Sequence, residues 1–271
     1  MDWLEAILRL RELNEAAVVV TLVQARGHSP RDAGAKMAVS ATGLWGSVGG
    51  GNFEAEVVDR ARELLSSGYT STELMNFALN DKVVTSHGVQ CCGGEVSVLL
   101  EVLPARRTVA IFGMGHVGYE IAHILARLPV NLVLADSRQD AVTAERMHPL
   151  TQGQASVSAH HAPAPEVVLQ GLPPGATILV LTHDHAEDLI LCDAALRSQP
   201  SYIGLIGSRS KWQRFRKRLQ EEGHDDGQIG RITCPIGLPA ITGKDPASIA
   251  IGVAADLSSR WGNVQCTGNA S

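Results

Sequence analysis

Aromatic side chains make up only 4% of the 271 residues, which weakens any reading as a stacking platform for single-stranded nucleic acid. Positive charge is not in excess either. With 23 Lys and Arg against 28 Asp and Glu, the formal net charge is −5, which gives no general attraction to phosphate polyanions, so nucleic acid is not an expected partner. No apolar run approaches the roughly 18 residues that cross a bilayer. The opening Met1-Asp2-Trp3-Leu4-Glu5 lacks the basic start of a signal peptide, so no membrane association is expected and the cytoplasm is the expected compartment. The five cysteines (Cys91, Cys92, Cys192, Cys234, Cys266) are odd in number and scattered, which argues against a disulfide framework and for free thiols. What remains is an ordinary globular composition, 45% hydrophobic and 19% charged, on a chain long enough for two medium domains.

The first hundred residues read as a mixed α+β domain. Trp3, Leu4, Ile7, Leu8 and Leu10 follow a helical period, and Ala16 to Val23 is a β-branched run that predicts a buried strand. Lys36 to Ser40, the turn Thr42-Gly43 and Leu44 to Val48 predict a hairpin. After Gly49-Gly50-Gly51 the pattern is helical from Asn52 to Ser67, with Gly68 as its stop. Alternation at Met75, Phe77 and Leu79, and again from Val96 to Val102, predicts two strands around a loop carrying His87 and Cys91-Cys92-Gly93-Gly94.

Pro104-Ala105-Arg106-Arg107 marks the expected boundary between a domain over 1–104 and another over 108–271. Beyond it strands (108–112, 130–135, 177–181, 202–206) alternate with helices (116–127, 186–198, 209–222, 246–260), the rhythm of an open parallel sheet. The segment 152–174 is the least legible and has room for one short strand and one helix. The expected fold class is therefore α/β, a C-terminal Rossmann-like parallel sheet behind a smaller N-terminal α+β domain.

Gly113-Met114-Gly115-His116-Val117-Gly118 is a G-x-G-x-x-G that closes a strand and opens a helix. Glycines there permit the tight turn and close backbone approach, and the helix N-terminus attracts a phosphate. Asp136, eighteen residues beyond Gly118, ends the second strand where a carboxylate meets a ribose diol. The plain alternative is a turn that only packs strand on helix. His183-Asp184-His185 with Asp188 should lie at the carboxyl edge of the sheet, as ligand-binding or metal groups, or else as a helix cap with two surface histidines. Gly207-Ser208-Arg209-Ser210-Lys211 again delivers hydroxyl and cationic groups to a helix start, suited to an anion. The basic run Arg214 to Arg218 reads first as a solvated helix face.

In the N-terminal half, Arg31 and Lys36 sit in a glycine-rich loop suited to an anionic ligand, and Cys91-Cys92-Gly93-Gly94 places a thiol where backbone can wrap a bound group. Taken alone, a structural cysteine is the simpler reading, because C-C lacks the C-x-x-C spacing of a metal site.

In their order, these pieces resemble the XdhC/CoxI family, accessory factors of xanthine dehydrogenases and related molybdenum hydroxylases. The matching stretches are Gly27–Met37, Gly46–Glu54, Cys92-Gly93-Gly94, Phe112–Gly118, Thr182–Asp188, Tyr202–Lys211 and Pro235–Pro246, which run across nearly the whole chain. The resemblance implies a chaperone that binds the molybdenum cofactor (molybdopterin), supports its sulfuration by a cysteine desulfurase and delivers it to a xanthine dehydrogenase-like apoenzyme of purine catabolism. It further implies a homo-oligomer, a dimer being the simplest, and a role that is not itself catalytic. The contacts it implies are Arg31, Lys36, Gly50, Gly51, Glu54, Cys92, Gly93, Gly94, Gly113, Gly115, His116, Gly118, Asp136, His183, Asp184, His185, Ser208 and Arg209, with Cys92 nearest the metal. Asn52 stands where many relatives carry Cys or His, and Cys91 doubles the thiol. The competing reading is an NAD(P)-dependent oxidoreductase using Gly113, Gly115, Gly118 and Asp136, for which no catalytic residue is evident. A nucleic-acid regulator acting through residues 209–218 is a third, which the net charge disfavours.

Overall fold

A computed structural model describes residues 1–27, 31–68, 70, 72–79, 84–85, 88–89 and 94–262. The chain divides into two compact units, Met1–Ala105 and Arg106–Ser271.

The first unit opens with α1 (Trp3–Glu12), whose free amides are closed by a capping box: Asp2 accepts from the Glu5 amide at 2.8 Å and Glu5 from the Asp2 amide at 2.9 Å. β1 (Ala17–Arg26), β2 (Lys36–Val39) and β3 (Leu44–Gly46) follow, then α2 (Gly51–Ser67), β4 (Thr72–Leu79), β5 (Val84–Thr85), β6 (Gly88–Val89) and β7 (Gly94–Leu103). Five of these strands form an antiparallel sheet in the order β3-β2-β1-β7-β4, and β5 pairs antiparallel with β6. Period-two alternation sends Val18, Val20 and Leu22 to one face, where they meet Phe53, Val57, Ala61 and Leu64 at helical spacing on α2. Phe53 and Phe77 meet edge to face with centroids 5.0 Å apart. The helix stops where expected, at Gly68 with φ +69°.

The second unit runs β8 (Thr108–Phe112), α3 (His116–Leu125), β9 (Asn131–Asp136), α4 (Ala144–Met147), β10 (Ser156–His161), α5 (Glu166–Gln170), β11 (Thr177–Val180), α6 (His185–Arg197), β12 (Tyr202–Leu205), α7 (Arg209–Glu221), α8 (Asp226–Ile229), β13 (Ile232–Thr233) and α9 (Pro246–Gly262). The sheet is parallel, in the order β10-β9-β8-β11-β12-β13. Every residue of β8 and β11 is buried, as expected of strands covered on both faces. Alternation splits them between two cores. Val109 and Ile111 pack with Ile121 of α3 and Val253 of α9, while Ala110 and Phe112 pack with Leu191 of α6 and Phe215 of α7. The direction of strand order reverses between β8 and β11, and the carboxyl ends of those strands bound a crevice where sheets of this kind take ligands.

The α/β reading is right, including one strand and one helix within 152–174. Sequence periodicity missed β13, whose two residues are too few to show a pattern.

Candidate functional site at the carboxyl edge of the parallel sheet

The glycine turn between β8 and α3 is built by packing. At Gly113, φ is +104° and a Cβ would stand 2.4 Å from the Leu181 carbonyl oxygen, so only glycine passes between β8 and β11. Gly115 differs. Its φ is −68°, and a Cβ there would meet no atom within 4 Å. As N-cap of α3 it offers no side chain, and the His116 and Val117 amides donate to no acceptor among the described residues. The start of α3 thus presents open space, unpaired donors and the positive end of the helix dipole. His116 is exposed beside it, and Gly118 is buried in the first turn.

Asp136 reaches the same turn but has its acceptors filled from within. Its Oδ2 accepts from the Met114 amide at 2.7 Å and Arg138 Nη2 at 2.9 Å, and its Oδ1 accepts from the Arg138 amide at 2.9 Å and Arg138 Nε at 3.0 Å. Burial raises this carboxyl's pKa, but the hydrogen bonds from Arg138 and Met114 outweigh it and hold it below its ordinary value. Sequence reasoning passed over Arg138. The signal was there, since a guanidinium two residues past a strand-end carboxylate can fold back on it as a fork. Arg146 also serves the turn, donating to the Met114 carbonyl at 2.8 Å.

Across the crevice, Asp184 caps α6, accepting from the Ala186 amide at 2.6 Å, and His183 and His185 are exposed. This is the capping alternative of the sequence reading. No group of three or more His, Cys, Asp or Glu among the described residues is placed to hold a metal ion. Asp188 is fully buried. Its Oδ1 accepts from the Thr182 amide at 3.0 Å and hydroxyl at 2.7 Å, and its Oδ2 accepts from Lys211 Nζ, which also donates to the Ile206 carbonyl at 3.0 Å. Lys211 is therefore an internal strut and not a cation offered to a ligand. Ser208 caps α7, accepting from the Lys211 amide at 3.2 Å, and Arg209 is exposed. Glu187 neighbours the crevice with its pKa raised by burial and by the Asp136 and Asp188 charges, against a hydrogen bond from Ser137 and the charge of His183.

In the first unit, three successive positive φ angles at Gly49, Gly50 and Gly51 curl the backbone into a nest of amides. The anion in that nest is Glu54: its Oε2 accepts from the Val48, Gly49 and Gly50 amides at 3.0, 3.2 and 3.0 Å and from Ser47 Oγ at 2.5 Å. A ligand anion at Gly50 and Gly51 would meet a carboxylate already there. Lys36 donates to Thr21 Oγ1 at 2.7 Å and lies over the Trp3 ring at 5.6 Å, while Arg31 is exposed. Gly94 begins β7; Cys91, Cys92 and Gly93 lie outside the described residues. Of the described cysteines, Cys192 and Cys234 are poor thiolates, since burial pushes both thiols up, Cys234 to about 11.

Comparison with known proteins agrees with this architecture. The model of the XdhC Rossmann domain matches residues 109–257, and that of the XdhC and CoxI family matches residues 10–77. The uncharacterized protein YqeB of Escherichia coli (strain K12) is 28% identical over 92% of this chain, which spans only 44% of that protein's length. PaoD of the same organism, a molybdenum cofactor insertion chaperone, is 24% identical over 90% of this chain and 83% of its own. The crystal structure of a xanthine dehydrogenase from Bacillus halodurans aligns over 99% of this chain and 98% of that one, with 17% identity and a TM-score of 0.50, a likeness of fold. No helix among the described residues is long and apolar enough to cross a membrane. Since the Rossmann-domain model alone covers more than half of its length, the chain belongs to the XdhC family.

Proposed function

We propose that this protein is an accessory factor that binds the molybdenum cofactor as cargo, supports its sulfuration by a cysteine desulfurase and hands it to a xanthine dehydrogenase-like apoenzyme. The observation that carries the reading is the uncapped start of α3 at Gly115, open in front and lined by amides without acceptors among the described residues. That is an arrangement for a phosphate, and the pterin cofactor carries one. Membership in the XdhC family and similarity to the insertion chaperone PaoD support the choice of ligand. In this reading His116, His183 and Arg209 are exposed at the same edge for polar contact, and Cys92, with Cys91 beside it, supplies the thiol near molybdenum.

The competing reading as an NAD(P)-dependent oxidoreductase draws on the same turn. It needs Asp136 to receive a ribose diol, whereas both oxygens of that carboxylate already accept hydrogen bonds from Arg138 and Met114.

The test is retention of molybdenum cofactor released from a molybdoenzyme. The purified protein should hold about one molybdenum per chain through gel filtration and restore activity to cofactor-free dehydrogenase, with Cys92→Ala lowering retention and remaining folded. Absence of retention, together with NADP binding and turnover of a carbonyl substrate, would replace this reading by the oxidoreductase one.

A further inference from the structure

A cavity of about 520 Å³ opens where β12 and β13 end, between the starts of α7 and α9. It plays no part in the glycine turn, and its volume falls in the range of roughly 300–1,000 Å³ typical of small-molecule sites. Its walls are aliphatic, from Ile206, Ile236, Leu238, Ile241 and Ile249. Among its lining residues Lys244 is the sole charged side chain and no carboxylate occurs. Lys244 is exposed and forms no ion pair among the described residues; the adjacent Asp245 is turned to α9, accepting from the Ser248 amide at 2.9 Å and hydroxyl at 2.6 Å.

Glycines thin the remaining wall. Gly237 has φ +91°, and a Cβ there would come within 3.2 Å of the α9 backbone at Gly252 and Val253. A Cβ on Gly207 would stand 2.9 Å from Lys211 Cδ and 3.4 Å from Cys234 Sγ. Positive φ and backbone contact require glycine at 237, and side-chain packing favours it at 207. The two residues are half-buried, and their amides donate to no acceptor among the described residues. Backbone donors without a protein acceptor, set among aliphatic walls, are placed to meet a ligand's acceptor atoms.

We infer that this cavity binds the flat heterocyclic end of an anionic ligand, with the Gly207 and Gly237 amides donating to ring acceptors and Lys244 at the rim meeting negative charge. The inference rests on the accessory-factor reading for its choice of heterocycle, a pterin. β12 lies two strand positions from β8, about 10 Å at the usual spacing. A ligand whose phosphate and ring are spaced to match would occupy Gly115 and this cavity together.

The probes are neopterin and neopterin monophosphate, followed by quenching of pterin fluorescence on the intact chain. Wild type should bind both. Thr242→Trp, at an exposed lining position, should weaken both at least tenfold with an unchanged melting temperature, and Lys244→Gln should weaken the phosphorylated probe more than the plain one. Gly115→Ala should weaken the phosphorylated probe alone. Failure of wild type to bind either pterin, or full affinity in Thr242→Trp, overturns the cavity as the ring site. If molybdenum cofactor is still retained in that case, the accessory reading stands and only the cavity proposal falls. Loss of cofactor retention in wild type, with pterin binding that Thr242→Trp removes, sinks the accessory reading and keeps the cavity.

Discussion

A Cβ on Gly118 would stand 2.0 Å from the carbonyl oxygen of Gly113, so the first turn of α3 lies against the end of β8 with no room for a side chain. Gly115, between them in sequence, has open space in front of it. The glycine turn therefore contains two kinds of glycine, one kind required by packing and the other suited to what approaches from outside.

Substitution should separate them. Gly118→Ala forces helix and strand apart and should lower the unfolding free energy in urea by about 1–3 kcal/mol, the overpacking range. Gly115→Ala should keep the wild-type midpoint, because φ −68° suits alanine, yet reduce cofactor retention. Equal stability losses in the two variants would contradict this division.

Lys211 and Asp188 form a buried ion pair joining α7 to α6, with side chains 8% and 0% exposed. Lys211→Met should cost about 3–5 kcal/mol in urea unfolding, since it leaves a buried carboxylate without its countercharge. Lys211→Met with Asp188→Leu should recover part of the loss, though the Thr182 hydrogen bonds do not return. A single variant within about 1 kcal/mol of wild type would show the pair to be dispensable.

Acid should weaken both units through the same kind of group. Glu54 and Asp136 have folded pKa values below their ordinary 4.5 and 3.8, so the unfolded chain takes up protons first as pH falls. Their stabilisation is complete above about pH 5 and is lost as pH drops through 4 and below. Urea midpoints from pH 7 to 3 should be flat and then fall, and Glu54→Gln should start lower and fall less. A midpoint that rises on acidification would contradict the assignment.

Glu187 has the opposite sign. Its raised pKa means that the fold disfavours its charged form, a penalty present above the folded pKa and relieved as pH falls through it. Glu187→Gln should therefore raise the melting temperature at pH 7 and leave it nearly unchanged at pH 4. A lower melting temperature at pH 7 would indicate that the Ser137 hydrogen bond outweighs the burial penalty.

Much of this was legible in the chain itself. Period two in Val18, Val20 and Leu22 and helical spacing in Phe53, Val57, Ala61 and Leu64 mark the buried face of the first unit, because side-chain direction follows backbone geometry residue by residue. Strand, glycine turn and helix likewise announced the parallel sheet. Local spacing carried no sign of partners chosen over longer distances. Glu54 filling the glycine nest, Arg138 closing on Asp136 and Lys211 turning inward to Asp188 are each a choice between water, ligand and protein for one charged group. That choice depends on which other elements fold beside it. The cavity below α9 has the same origin, since Gly207 and Gly237 are thirty residues apart and become one wall only when β12 and β13 pair.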